Sequence, residues 1–123
     1  MKPLVYVTQP IPQPGLDLLK QSFDVKVGKS GVVLEKKQLI AKVKSCDALL
    51  SMLVDRIDDE VMSASPQLKI VANYAVGYDN IDIAAAGKRN IIVTNTPGVL
   101  AATTADLAWA LLMAAGRRIA ESD

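Results

Sequence analysis

Short β-type runs alternate with helical patterns five times along this chain. The β-type runs are four or five residues long and apolar in character, at 4–8, 23–27, 47–51, 69–72 and 91–94. Helical patterns follow them at 14–20, 34–43, 58–64, 82–89 and 100–120. Strict alternation of this kind predicts an α/β protein with a parallel sheet, whose right-handed crossovers place helices on both faces.

The character of the individual runs predicts the order of the strands. Segment 23–27 alternates apolar and polar residues, as an edge strand does, whereas 47–51 is short and apolar, as a buried strand is. Five units with such an edge fit the flavodoxin-like doubly wound sheet, with strand order 2-1-3-4-5. No stretch resembles a linker, and 123 residues suffice for one core, so 1–123 is expected to be a single domain.

The composition excludes several functions. Histidine is absent, so no mechanism that needs an imidazole acid, base or metal ligand can act within this chain. The single cysteine, Cys46, precludes an internal disulfide, suits the reducing cytoplasm and makes a zinc site improbable. Fourteen basic and 13 acidic residues are spread without a basic stripe, and the apolar, uncharged run at 107–116 is about half a bilayer span. We therefore expect a cytoplasmic protein that binds no metal, nucleic acid or membrane.

Ligands of open parallel sheets bind beyond the carboxyl ends of the strands, which are followed here by loops at 9–15, 52–58, 75–80 and 95–104. Three prolines in loop 9–15 each lack an N–H, so a phosphate cradle is not expected there. The ends of strands one and three carry no acidic residue, which excludes a phospho-acceptor domain. The motif G-x-G-x-x-G does not occur, so the chain has no dinucleotide fingerprint.

The loop after strand four contains Gly77, for which two interpretations remain open. The glycine could supply a positive φ in a turn between strand and helix. Alternatively, the missing Cβ lets a ligand approach the backbone, so that the N–H groups of Val76 and Gly77 bind a carboxylate. The pattern alone does not separate the two interpretations.

Other polar or large residues have simpler explanations. Asp82 is better explained as the N-cap of the following helix than as a catalytic acid. The pair at 55–56 is expected to be a solvated loop pair. Asp106, in the first turn of the last helix, would favour the helix dipole, with a functional role kept as a minor alternative. Trp109 and Met113 lie four residues apart and are expected to be packing residues.

Three segments closely resemble the D-isomer-specific 2-hydroxyacid dehydrogenases, especially the glyoxylate/hydroxypyruvate reductase (glycerate dehydrogenase) type: NYAVGYDNID at 73–82, KRNIIVTNTPGV at 88–99 and TTADLAWALLMAAGRRI at 103–119. The resemblance implies a flavodoxin-like substrate-binding domain, from which the helix at 100–120 crosses to a Rossmann domain that binds NAD or NADP. The family's catalytic arginine, glutamate and histidine, and its glycine fingerprint, would lie beyond residue 123. The chain alone is therefore expected to contain no catalytic residue, to bind no cofactor and to be inactive.

The resemblance also implies roles for individual residues. The N–H groups of Val76 and Gly77 would bind the carboxylate of a small 2-oxo or 2-hydroxy acid. Leu53 and Tyr74 would line the substrate pocket, and Thr104 would lie near the nicotinamide.

Two departures from the family pattern stand out. Ala101 and Ala102 replace a more polar pair, which puts polar contacts at the cleft entrance in doubt. Asn90 stands where glycine commonly ends the helix, and asparagine is the next-best residue for a left-handed helix stop.

A second class of function is a self-standing flavodoxin-like binding or dimerisation module, natural or engineered, without catalysis. The helix at 100–120 is apolar nearly all round, as expected of a helix that is buried on more than one side. It could fold back as the fifth crossover helix or pack against a second copy, with or without exchange. We favour a homodimer, because one sheet face cannot cover both sides of this helix.

Overall fold

The computed structural model describes residues 1–122, and its five strands form one parallel sheet in the order β2-β1-β3-β4-β5. The strands are β1 (Leu4–Val7), β2 (Asp24–Val27), β3 (Ala48–Ser51), β4 (Ile70–Asn73) and β5 (Ile92–Thr94). The helices are α1 (Gln13–Ser22), α2 (Lys36–Val43), α3 (Asp59–Ser63), α4 (Ile83–Lys88) and α5 (Ala101–Gly116), followed by a 3-10 helix (Ile119–Glu121). The predicted fold class and strand order are confirmed.

Side chains alternate between the two faces of the sheet, and each face has its own core. On one face, Tyr6, Leu49 and Val71 pack with buried residues of α2, α3 and α4. On the other face, Val5, Val7 and Ala48 pack with Leu16 of α1. Ile92 of β5 is 62% exposed, so the α1 side of the sheet is open at this edge.

Short-range hydrogen bonds decide where the small helices begin and end. The side chain of Asp58 accepts from the N–H of Val61, and that of Asp82 accepts from the N–H of Ala85 at 2.9 Å. Asn90, just beyond α4, has φ of 55°, in the left-handed region. The N-cap predicted at Asp82 and the helix stop predicted at Asn90 are both confirmed.

Helix α5 does not fold back on the sheet. None of its residues is buried, and its large apolar side chains, Leu107, Trp109, Leu111, Leu112 and Met113, are 47 to 65% exposed. The prediction that Trp109 and Met113 are packing residues is therefore wrong for the single chain. The helix ends at Gly116 rather than near residue 120, because Arg118 adopts a left-handed φ of 51°.

Two further observations concern the polarity of the chain. Asp106 lies in the second turn of α5, since the helix begins at Ala101, so the predicted interaction with the helix dipole is wrong. Within residues 1–122, no helix combines the length and apolar character needed to cross a membrane.

Candidate functional site

The loops that follow β3, β4 and β5 meet at the carboxyl edge of the sheet, where the fold predicts a ligand site. The N–H of Tyr74 donates to the carbonyl of Ser51 at 2.7 Å, which joins the start of the β4 loop to the end of β3. The N–H of Thr96 donates to the carbonyl of Ala75 at 2.9 Å, which joins the β5 loop to the β4 loop. The site is therefore an assembly of loops that are distant in sequence.

The residues predicted to bind substrate lie in two of these loops. Leu53 follows β3, and Tyr74, Val76 and Gly77 follow β4. The side chains of Leu53, Tyr74 and Val76 are 39 to 55% exposed, although all three are apolar or aromatic. A Cβ built on Gly77 would lie 3.9 Å from Cδ1 of Leu53, so the structure brings these two residues together.

The conformation of Gly77 decides between its two interpretations. The glycines with positive φ among residues 1–122 are Gly31 and Gly98, so Gly77 does not adopt the left-handed conformation that would require a glycine. A Cβ at Gly77 would make only an ordinary van der Waals contact, so crowding does not require a glycine either. The turn interpretation is therefore wrong about φ, and backbone access for a ligand stays a prediction.

The backbone of the β4 loop presents two free donors. Three carbonyl groups of this loop accept hydrogen bonds: Ala75 from the N–H of Thr96, Val76 from Nδ2 of Asn95 at 2.7 Å, and Gly77 from Nδ2 of Asn73 at 2.9 Å. The N–H groups of Val76 and Gly77 donate to no group within residues 1–122. Two adjacent free N–H groups next to an exposed leucine can bind a carboxylate.

A buried carboxylate supports the β3 loop from below. Asp55 is 3% exposed, and its Oδ2 accepts from Oγ1 of Thr8 at 2.5 Å and from the N–H of Met52 at 2.8 Å. The prediction that 55–56 form a solvated pair is wrong for Asp55, because the fold places it beneath the carboxyl end of β1. Burial raises the pKa of Tyr6, and the negative charge of Asp55 raises it further, so this phenol stays protonated.

Two asparagines connect the β3 and β4 loops. Nδ2 of Asn80 donates to the carbonyls of Met52 at 3.1 Å and Asp55 at 2.8 Å. Nδ2 of Asn73 donates to Oδ1 of Asn80 at 2.9 Å, while Oδ1 of Asn73 accepts from Oγ of Ser51. Every buried polar side-chain atom within residues 1–122 has a hydrogen-bond partner, which leaves this network rigid.

Sequence reasoning missed this network, although the sequence contained a signal for it. Thr8, Ser51 and Asn73 are polar residues at the carboxyl ends of three apolar strands that are neighbours in the predicted order. All three are buried. Polar residues that end adjacent strands indicate a shared hydrogen-bonded layer.

The residue predicted to contact the nicotinamide lies outside the loop assembly, and the described residues contain no metal-binding cluster. Thr104 lies on the exposed helix α5 rather than in the loop assembly, and its N–H donates to the carbonyl of Leu100. No group of three or more Cys, Asp or Glu side chains within residues 1–122 is arranged to hold a metal ion.

Comparison with known sequences confirms the resemblance to the 2-hydroxyacid dehydrogenases that the sequence motifs indicate. Residues 5–121 match the sequence model described as D-isomer specific 2-hydroxyacid dehydrogenase, catalytic domain. A glyoxylate reductase of Korarchaeum cryptofilum is 57% identical over 123 residues, which are 100% of this chain and 37% of that protein. A glyoxylate reductase of Thermococcus kodakarensis is 51% identical over the same shares of both chains. The chain thus spans a little over a third of the length of the curated relatives it matches.

Solved structures agree with the sequence comparison. A crystal structure of a Thermus thermophilus protein has 43% identity and a TM-score of 0.89, covering 97% of this chain and 38% of that one. An NADPH-dependent glyoxylate/hydroxypyruvate reductase of Sinorhizobium meliloti, solved with NADP and malonate, has 31% identity and a TM-score of 0.69, covering 93% and 34%. The sheet order and the sequence match over residues 5–121 lead to one conclusion: the chain belongs to the D-isomer specific 2-hydroxyacid dehydrogenase family, in which it corresponds to the catalytic domain.

Proposed function

We propose that this chain is the substrate-binding part of a cytoplasmic NAD(P)-dependent reductase of glyoxylate or hydroxypyruvate type. The observation that carries the proposal is the pair of free N–H groups on Val76 and Gly77 beside the exposed side chain of Leu53. Relatives named glyoxylate reductase, and a relative solved with NADP and malonate, support a small carboxylic acid as the ligand.

The arrangement suits an acid with a carboxylate at one end and a reactive carbonyl or hydroxyl next to it. Hydrogen bonds from main-chain N–H groups to a carboxylate are charge-assisted and therefore stronger than neutral ones. The absence of a Cβ on Gly77 lets the carboxylate reach both N–H groups. Leu53 and Tyr74 would contact the remainder of the acid, which favours a small substrate.

The cofactor would bind outside these residues. A bound nicotinamide supplies the hydride in this family, and Thr104 would be its contact in this chain. The 123 residues contain neither histidine nor the motif G-x-G-x-x-G, so they do not fit the phosphates of a dinucleotide. We therefore expect no NAD(P)H oxidation by this chain alone.

Helix α5 supports a second copy of the chain as a partner. Its large apolar side chains are exposed, and contiguous apolar patches of this kind are rare on monomers. The proposed homodimer would bury these side chains against the partner. A self-standing dimerisation module without catalysis would have the same exposed helix. It differs from a reductase because its Val76 and Gly77 N–H groups would bind no substrate.

Titration of the ¹⁵N-labelled chain with sodium glyoxylate tests the proposed function. The amide resonances of Val76 and Gly77 are expected to shift and saturate in the millimolar range, equivalent to about 4 kcal/mol. Gly77→Val should abolish the shifts, because its branched side chain covers the two donors, while the sheet resonances stay in place.

Two controls keep this result specific. Gly87→Ala, at an α4 position where a Cβ meets nothing within 4 Å, should bind glyoxylate as the wild type does. Sodium chloride at equal ionic strength should leave both amides unshifted. Glyoxylate that fails to move the Val76 and Gly77 resonances of the wild-type chain would remove the reductase proposal and favour the non-catalytic module.

A further inference from the structure

The two proposed carboxylate donors belong to peptide units whose carbonyl groups are both held by the segment that follows β5. The N–H of Val76 shares a peptide unit with the carbonyl of Ala75, which accepts from the N–H of Thr96 at 2.9 Å. The N–H of Gly77 shares a peptide unit with the carbonyl of Val76, which accepts from Nδ2 of Asn95 at 2.7 Å. One short segment therefore contacts the rear of both units.

The planarity of the peptide bond converts these contacts into an orientation of the donors. In a trans peptide unit the C=O and N–H bonds point in opposite directions, so fixing one fixes the other. The N–H of Val76 must point away from Thr96, and the N–H of Gly77 must point away from Asn95. Neither N–H has an acceptor within residues 1–122 that could hold it in place directly.

The other anchor of the loop does not reach these donors. Nδ2 of Asn73 holds the carbonyl of Gly77, which belongs to the next peptide unit, that of the Tyr78 N–H. The backbone of Thr96 contributes the first contact whatever its side chain is. Asn95 is thus the one side chain within residues 1–122 that holds a peptide unit carrying a proposed donor.

We infer that Asn95 is a positioning residue for the carboxylate site, acting through the carbonyl of Val76 on the N–H of Gly77. The inference rests on the proposed function, because it supplies the orientation that a bound carboxylate needs. Without the Asn95 amide, the unit between Val76 and Gly77 is free to rotate, and the Gly77 N–H points at the ligand for only part of the time. Glyoxylate binding should then weaken about tenfold, the size expected for one oriented hydrogen bond.

The test is the same glyoxylate titration on Asn95→Ala, combined with ¹⁵N relaxation of the ligand-free chain. The variant should bind about tenfold more weakly, and the Gly77 amide should become more mobile. The Val76 amide, whose peptide unit is held by the backbone of Thr96, and the melting curve should stay close to those of the wild type. Asn95→Leu, which is close to asparagine in size but has neither N–H donors nor a charge, should behave in the same way and replaces Asn95→Ala should that variant not fold.

Gln67→Ala is the matched control. Nε2 of Gln67 donates to the carbonyl of Ser45 at 2.8 Å, so it makes the same type of exposed side-chain-to-backbone bond. The bond lies before the amino-terminal ends of β3 and β4, whereas the site lies beyond the carboxyl ends of the strands. This variant should retain wild-type glyoxylate affinity and wild-type relaxation of Val76 and Gly77.

The outcomes separate the inference from the proposed function. Equal affinity and equal amide mobility in Asn95→Ala and wild type overturn the inference and leave the proposed function standing. No glyoxylate binding by the wild type overturns the proposed function, and the relaxation data then decide the inference. In that case a mobile Gly77 amide in Asn95→Ala supports the orienting role, and an unchanged Gly77 amide overturns it.

Discussion

At the scale of single residues, the loops of the site depend on one buried carboxylate. Asp55 accepts from the hydroxyl of Thr8 and from the N–H of Met52, in a place where the residue is 3% exposed. Removing the carboxylate leaves the buried hydroxyl of Thr8 and the half-buried N–H of Met52 without this partner, and buried donors without partners cost more than a hydrogen bond contributes.

We therefore expect Asp55→Ala to lower the free energy of unfolding by about 3 kcal/mol. Urea denaturation followed by circular dichroism measures the change. Asp79→Ala, which removes an exposed carboxylate from the neighbouring loop, should stay within about 0.5 kcal/mol of the wild type. Equal losses in the two variants would show that the Asp55 network is not what supports the site.

At the scale of secondary-structure elements, the start of α3 combines a cap with an ion pair. Burial raises the pKa of Asp58, but the hydrogen bonds from Lys36 and from the N–H of Val61 outweigh it and leave that pKa below the usual 3.8. The ionised form of this carboxylate is therefore more stable in the folded state than in the unfolded state.

The sign of the pH dependence follows from the lowered pKa of Asp58. Its stabilisation is fully present above the unfolded pKa of 3.8 and is lost as the pH falls through the lower pKa of the folded state. The free energy of unfolding should thus fall on acidification below about pH 4. Asp58→Asn keeps a good N-cap but no charge, so its fall should be smaller, as measured by denaturation at a series of pH values.

A profile for Asp58→Asn that coincides with that of the wild type would show that the Lys36–Asp58 pair contributes nothing to acid sensitivity.

At the scale of the whole molecule, helix α5 is the proposed contact between two copies of the chain. The apolar side chains of α5 are exposed and do not pack against the open side of the sheet in this chain. Sedimentation equilibrium at micromolar concentration should therefore report a dimer. Leu107→Glu combined with Leu111→Glu, four residues apart on one helical face, should produce a monomer, because buried charges oppose association.

Leu18→Glu is the matched control, since Leu18 is an equally exposed leucine on α1. It should sediment as the wild-type chain does. A wild-type chain that stays monomeric at every concentration, with Trp109 shielded from fluorescence quenchers, would contradict the dimer and indicate that α5 folds back in solution.

Features that depend on neighbouring residues could be predicted from the amino-acid sequence. The alternation of apolar runs and helical patterns predicted the five strands, their parallel arrangement and their order, because each pattern reflects which face of a local element is buried. Asp82 and Asn90 were predicted as a helix start and stop because caps and left-handed positions depend on a few adjacent backbone groups.

Features that depend on residues far apart in the chain emerged only from the folded structure. Asp55 is buried because Thr8, 47 residues away, lies above it, and no local pattern contains that contact. Gly77 has neither a positive φ nor a crowded Cβ position, and the carbonyl of Val76, which shares a peptide unit with the Gly77 N–H, accepts from Asn95, 19 residues after Val76. Helix α5 stands away from the sheet although its composition predicts burial, because hydrophobicity requires that a face be covered but does not specify what covers it.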